Sequence, residues 1–369
     1  MLSHHSTTFP SWPRSCQQTP PPGWQLLSPA IEWHSLGRLF DLPALVPPVL
    51  ACLRAAKLIR DLVERRQPAL VLLKGPSEVS LAALLALAGR PFPTIYHLSL
   101  DWLGAVDDAA RYTAARRFVT PYFHLLKRYR RLWLRCALPV AGTVATVCHD
   151  QANALRHLSR RMAIMRQTFT RTTADIDVDP SPLASRRKRF LFVGRLDANK
   201  NVACLLKAAA DVARQCRHAC EVVICGDGDD REQLEQLART LRISECVVFL
   251  GYVPQSRLRS IYKEALALVL PSFSEMFPQV MVEAYAAGTP VIASPINGVK
   301  DMLEDGKNGC FIDPYDWRTL AARMRWFLEV SVEEYEAMQR SAIRTAHGLT
   351  REAALVAWRN AIEEAMSAV

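Results

Sequence analysis

At roughly 100–200 residues per domain, the 369-residue chain accommodates two domains. Half of it is apolar and 22% is charged, as in a globular protein able to bury real cores, and no apolar run approaches the roughly 18 residues of a membrane-spanning helix. The formal charge of +10 is confined to the first half, where residues 1–180 carry 22 Lys and Arg against 12 Asp and Glu; the remainder carries 24 of each. The N-terminus is rich in proline and histidine but lacks a charged-then-apolar signal pattern, so no export is expected. Ten cysteines without a CxxC pair or finger-like spacing point to reduced thiols in a cytoplasmic protein rather than to disulfides or zinc.

Residues 1–23, with SWPRSCQQTPPPG, read as a disordered tail. A helix follows in VLACLRAAKLIRDLVERR, with Leu50, Leu53, Leu58 and Leu62 placed near one face, and then PALVLLKG as a buried strand. The alternation continues with a helix in SLAALLALAG, a strand in PTIYHLSL, basic helices from Asp108 to Leu138 and a strand in GTVATVCH. Alternating helix and buried strand predicts a parallel sheet over residues 24–175. The stretch RRFVTPYFHLLKRYRRLWLR from Arg116 holds the densest positive charge. Basic residues interleaved with aromatics suit either a solvated helix face or an anionic membrane surface; nucleic acid is set aside, because no recognisable module accompanies the charge.

The pattern breaks from Thr168 to Arg189, and the inter-domain linker is placed at 176–189. A second strand–helix series then runs through residues 190–345: FLFVG, EVVICG, CVVFLG, LALVLPS, PVIAS and GCFID as strands, with helices between them and a last helix in 346–369. Each strand ends in Gly, Ser or Asp, the turn chemistry of strand ends that face a ligand crevice.

Four clusters sit at those strand ends. In GRLDANKN, Gly194 lets a phosphate approach the backbone, while Arg195 and Lys200 place two cations in one loop, able to offset the charge of a departing diphosphate. CGDGDD, with Gly226, is a glycine turn without GxGxxG or Gly-Lys-Ser, so it is read as a tight turn either beside a nucleotide or purely structural. In PSFSEMFPQVMVEAYAAG, Glu275 precedes a helix whose first turn is expected to hold Pro278, and Glu283 follows eight residues later. Both carboxylates can accept sugar hydroxyls, and the free N–H groups of the helix start can hold phosphate. PINGVKDMLEDGKNG supplies two glycine turns around a short helix. No DxD-like pair stands at a strand end, so no metal and no separate cofactor are expected.

In this order the segments from about Phe190 to Arg323 resemble the carboxyl-terminal half of the family 4 glycosyltransferases, retaining enzymes of the two-domain α/β GT-B fold with Rossmann-like sheets facing a cleft. The resemblance implies that Arg195 and Lys200 bind the donor diphosphate. It also implies that Glu275 faces the transferred sugar, with Phe277 and Pro278 beside it, and that Glu283 faces the ribose. Asn297 and Gly298 would lie along the sugar and phosphates, and the final helix would pack back on the first domain. His97, which YHLSLDW puts at the end of a strand, matches a histidine lining the acceptor side, although strand-end histidines are commonly structural. Three features depart from the family. The Gly-Gly loop near the N-terminus is missing, so the first domain is expected to be short or its start misplaced; the Asn-Gly turn before the linker is replaced by TRTTADID; and Met276 stands where glycine is usual. The function implied is transfer of a hexose from a nucleoside diphosphate sugar to a glycan or lipid-linked acceptor in cell-surface polysaccharide or glycoconjugate synthesis, cytoplasmic or peripheral at the inner membrane face. The alternatives are a scaffold that has lost transfer and a nucleotide-sugar epimerase.

Overall fold

A computed structural model of the chain describes residues 48–101, 103–104, 116–166, 171–177, 180–215 and 220–367. The stretch 1–23, expected as a tail, lies outside the described residues, as do 24–47 and the start of the basic helical run.

The first unit alternates α1 (Pro48–Arg66), β1 (Val71–Gly75), α2 (Glu78–Leu85), β2 (Thr94–Leu98), α3 (Arg116–Ala137), β3 (Thr143–Thr146), α4 (His149–Leu155) and β4 (Met162–Ile164). All four strands are parallel and stand in chain order, with Val71 opposite Thr94, Ile95 opposite Thr143 and Val144 opposite Met162. Helix α2 starts where Ser77 accepts from the Ser80 backbone N–H and Ser80 returns the bond, a reciprocal cap that satisfies two otherwise orphaned donors. The face of α1 differs from the leucine pattern. Ala55, Ile59 and Val63 are buried, whereas Leu50, Leu53 and Leu58 are exposed. The buried residues recur at four-residue spacing and pack with α2, so the smaller side chains form the seam between helices.

The second unit comprises β5 (Arg189–Val193), α5 (Val202–Gln215), β6 (Glu221–Cys225), α6 (Arg231–Thr240), β7 (Val247–Gly251), α7 (Gln255–Glu264), β8 (Ala267–Leu270), α8 (Gln279–Ala286), β9 (Val291–Ala293), α9 (Asn297–Lys300), β10 (Gly309–Phe311), α10 (Trp317–Glu329) and α11 (Val332–His347). Its six parallel strands run in the order β10-β9-β8-β5-β6-β7. From β5 the chain builds to one side as far as β7, then returns to lay β8 on the other flank of β5. The strand order reverses there, and a crevice opens above the carboxyl ends of β5 and β8.

The basic stretch before β5 is anchored rather than free. Arg186 is buried and gives its guanidinium hydrogens to the carbonyls of Ala265, Tyr262, Ala287 and Gly288, the hydroxyl of Thr289 and, through Nε, the carbonyl of Ser181. Its ring neighbour is Tyr335, 5.7 Å away. A buried cation persists because every donor finds an acceptor.

Helix α12 (Arg351–Met366) packs on the first sheet. Trp358 is fully buried among Ile95, Ala145 and Met165, and its Nε1 donates to the Arg166 carbonyl at 2.9 Å. His97 lies beneath it, fully buried, with Nε2 3.0 Å from the Met165 carbonyl and its ring 5.2 Å from that of Trp358. Burial, aided by the charge of Lys74 and opposed by the bond to Met165, depresses the His97 pKa to about 4. The unfolded chain takes up this proton below an ordinary pKa near 6.5, and the native protein only near 4. His97 therefore costs nothing above pH 6.5 and removes up to about 3 kcal/mol of stability as the pH falls through that window. Urea midpoints for His97→Gln should fall less between pH 7 and pH 4.5 than those of the wild type; parallel slopes would contradict this placement.

Candidate functional site

The loops after β5, β6 and β7 are laced together by backbone bonds from Gly194 N–H to Cys225 O, Leu196 N–H to Asp227 O and Gly226 N–H to Gly251 O. Gly226 has φ +143°, and a β-carbon there would run into the Gly194 carbonyl. Only glycine lets these two turns touch, so Gly226 shapes the rim by close packing.

After Gly194, Asp197 caps a single turn (Ala198–Lys200) by accepting from the Lys200 N–H, and Asn201 closes it in the left-handed region at φ +53°. Two side-chain amides then tie this turn to the loops after β8 and β10. Asn199 Nδ2 donates to Ser274 O, and Asn201 Nδ2 donates to Pro271 O and Pro314 O. The Phe273 N–H answers to Asn199 O. The clamp delivers Lys200 Nζ to 2.6 Å from Glu275 Oε1, which also accepts from Ser272 Oγ at 3.0 Å. Both members of this ion pair are largely enclosed, at 18% and 11% side-chain exposure. Arg195 behaves differently: its side chain is 82% exposed, with NH2 3.1 Å from Asp197 Oδ2. One cation is thus fixed in the crevice and the other stands at its mouth.

Pro278 is the residue before α8 rather than within its first turn, and the helix begins at Gln279. Glu283 faces inward and is 7% exposed. It accepts from Gln255 Nε2 at 2.8 Å and Tyr262 Oη at 3.0 Å, with Arg171 NH2 3.9 Å away. Burial, and next to it the Glu283 carboxylate, pushes the Tyr262 hydroxyl pKa well up, which keeps it a hydrogen donor. Above α8, Gly298 lets α9 lie against the loop, since a β-carbon there would strike the Met276 carbonyl. Asn297, at φ +30°, aims its amide at the Met276 sulfur, 3.9 Å away. Met276, standing where glycine is usual in the family, thus fills the angle between the loop and α9. Glu275, Phe277, Glu283, Asn297 and Gly298 are brought to one side of the sheet with Gly194, Arg195 and Lys200; His97 is not, because α12 covers it.

The contacts between the two units were not foreseen. Asp301, whose side chain is 7% exposed, accepts on one oxygen from the His149 backbone N–H, His149 Nδ1 and Arg166 NH2, at 3.0, 3.0 and 3.2 Å. The first of these is an orphan donor at the start of α4, so Asp301 caps a helix of the other unit. Arg166 also lies over the Phe277 ring at 5.8 Å, and Lys300 reaches Asp150 at 2.9 Å. Half-exposed pairs such as the last contribute at most about 1 kcal/mol. No spacing rule announces residues that meet only when two units close.

Residues 174–345 match the family Glycosyl transferases group 1. An uncharacterized glycosyltransferase of Methanocaldococcus jannaschii is 40% identical over 127 residues, 34% of this chain and 32% of that one. The D-inositol 3-phosphate glycosyltransferase of Corynebacterium jeikeium is 39% identical over 141 residues, 36% and 34% of the two chains. The chain thus spans about a third of the length of these curated relatives. Among solved structures, the sucrose-phosphate synthase of Thermosynechococcus elongatus superposes with a TM-score of 0.67 at 18% identity, covering 92% of this chain and 82% of that one. Anabaena HepE in complex with UDP gives 0.64 at 19% identity, covering 85% and 82%. The fold is the two-sheet GT-B fold, and its second unit is the part that is similar to the glycosyltransferases of group 1.

Removing Asp301 strands the Arg166 guanidinium and the α4 N-terminus together. A double-mutant cycle of Asp301→Ala with Arg166→Ala should return a coupling of about 1–3 kcal/mol in urea unfolding; additive losses would show that the contact holds nothing.

Proposed function

We propose that the protein is a retaining glycosyltransferase that moves a hexose from a nucleoside diphosphate sugar to a hydroxyl of a glycan or lipid-linked acceptor. The observation that carries the reading is the Lys200–Glu275 pair, a cation and a carboxylate neutralising each other at the reversal between β5 and β8. A diphosphate entering there offers Lys200 two more negative charges, and Arg195 is placed to swing onto it from the mouth. Glu275, relieved of the cation, can then accept from the sugar hydroxyls, and Glu283, already held by Gln255 and Tyr262, is oriented for the ribose.

The chemistry follows from these charges. The bond from the anomeric carbon to the phosphate oxygen breaks as an acceptor oxygen attacks from the same face. Attack on that face keeps the sugar's configuration, and the acceptor proton passes to the departing phosphate. Lys200 and Arg195 offset the charge growing on the diphosphate, a role that calls for no metal ion or other cofactor. The named glycosyltransferase relatives, and the UDP held by the structurally similar Anabaena protein, support this donor class. The surplus charge of residues 1–180 supports an acceptor presented at an anionic membrane surface, with the enzyme peripheral on the cytoplasmic side.

Turnover of UDP-, GDP- and ADP-sugars, with water as the slow acceptor, tests the reading. Released nucleoside diphosphate and a sugar of unchanged anomeric configuration by proton NMR are expected. Glu275→Gln should lower turnover about 10²–10³-fold while leaving donor affinity within a few fold. An inverted product, or a Glu275→Gln variant as fast as the wild type, would contradict it.

A further inference from the structure

Helix α3 carries seven Lys and Arg and no Asp or Glu within its 22 residues. Its inner face is closed against the first core by Leu134 and Ala137, both buried, and by the partly buried Trp133. Its outer half separates into two stripes. Tyr122, Leu125, Tyr129 and Leu132 succeed one another at spacings of three, four and three residues and are 61, 68, 42 and 61% exposed. At 100° per residue these four fall within a narrow arc, and they extend over about 15 Å of helix. Arg128, Arg131 and Arg135, also exposed, form the adjoining stripe.

Core packing explains neither stripe, since both face away from the sheet. On the far side of Tyr129 and Trp133 the surface falls into a groove of about 570 Å³ between α1, α2 and α3, floored by Cys52, Ala56, Ala82 and Leu85. It rises again at Leu53 of α1, which is 61% exposed. Arg60, Glu78 and Arg90 also line this groove, so apolar and charged side chains share the surface between the helices.

We infer that this face seats the protein on an anionic lipid surface, with α3 lying in the plane of the headgroups. Tyr122, Leu125, Tyr129 and Leu132 enter the interface, and Arg128, Arg131 and Arg135 pair with lipid phosphates. Charge complementarity chooses the occupant: the cations run parallel to the apolar row, so one flat negatively charged sheet with an apolar interior satisfies both rows at once. Tyrosine suits this depth because its ring is apolar and its hydroxyl stays wet. Helix α3 runs from the carboxyl side of β2 to the amino side of β3, so its N-terminal end lies on the side of the carboxyl ends of the first sheet. The consequence for substrate rests on the transferase reading: a lipid-linked acceptor would meet the cleft without leaving the membrane.

The test is flotation of the full chain with vesicles of phosphatidylcholine alone or with about 30 mol % phosphatidylglycerol, at low and high salt. The wild type should float with the anionic vesicles and not with the neutral ones. Arg128→Glu combined with Arg131→Glu and Arg135→Glu should weaken partitioning about a hundredfold. Leu125→Ser with Leu132→Ser should weaken it about tenfold, the more clearly at high salt. Unchanged melting temperatures confirm that these surface variants fold. Absence of flotation at low salt overturns the inference. So does loss with the arginine variant but none with the leucine variant, which would mean a polyanion site, and so does a dimer that the leucine variant dissolves, which would mean a second copy covers the stripe. Donor-induced thermal stabilisation of the same samples keeps the two readings apart, because its absence counts against the transferase and leaves the flotation result standing.

Discussion

A parallel sheet whose strand order reverses leaves the ends of two neighbouring strands without a helix crossing between them. In this protein those strands are β5 and β8, and what fills the gap is a single ion pair, Lys200 with Glu275 at 2.6 Å. An enclosed pair of this kind repays its desolvation only if both ends are held in place and hydrogen-bonded. The surrounding loops meet that requirement. Asp197 fixes the turn that carries Lys200, Ser272 shares Glu275, and the amides of Asn199 and Asn201 bind the two loops along their length. The glycines serve the same end, Gly226 by letting one loop touch its neighbour and Gly298 by letting α9 close over Met276.

The same arrangement explains how the site stays stable while suited to a highly charged ligand. Lys200 is compensated by Glu275, and Arg195 remains in water, where its charge is cheap. Glu283 is the contrasting case, a buried carboxylate kept by two neutral donors with Arg171 just beyond contact. A ligand hydroxyl there must compete with Gln255 and Tyr262, which favours a group that brings two donors, as a ribose does. The other wall of the cleft is joined through Asp301, whose three donors all belong to the first unit. The segment of α9 and Asp301 therefore touches both the loop after β8 and the opposite domain.

The second unit was legible because strands buried on both faces read as continuous apolar runs, and EVVICG, LALVLPS and PVIAS each became one. The positions of its candidate site residues could be read for a related reason, in that they stand at strand ends and strand ends can be located. The first unit was less transparent. In α1 the leucines suggested one face, while Ala55, Ile59 and Val63 formed the seam. Strand β4 is three residues long, too short for any period to show. Arg186 was hidden inside a basic cluster, because composition does not distinguish a solvated arginine from one that closes six acceptors. His97 was expected toward the acceptor and lies under Trp358, a contact made 261 residues along the chain that only the folded helix supplies. Arg166 and Asp301 share that blindness to long-range pairing.

The central claim is that the reversal between β5 and β8 holds the diphosphate of a nucleotide sugar through Lys200 and Arg195. Titration calorimetry with UDP, GDP and ADP tests it without requiring an acceptor or turnover. One of these nucleotides should bind the wild type, Lys200→Met should weaken that binding about 10–100-fold, and Arg195→Met by a smaller factor, as expected for charge-assisted contacts of about 1.5–3 kcal/mol. A nucleotide that binds the wild type and the combined Lys200→Met, Arg195→Met variant equally well would place the diphosphate elsewhere and contradict the account.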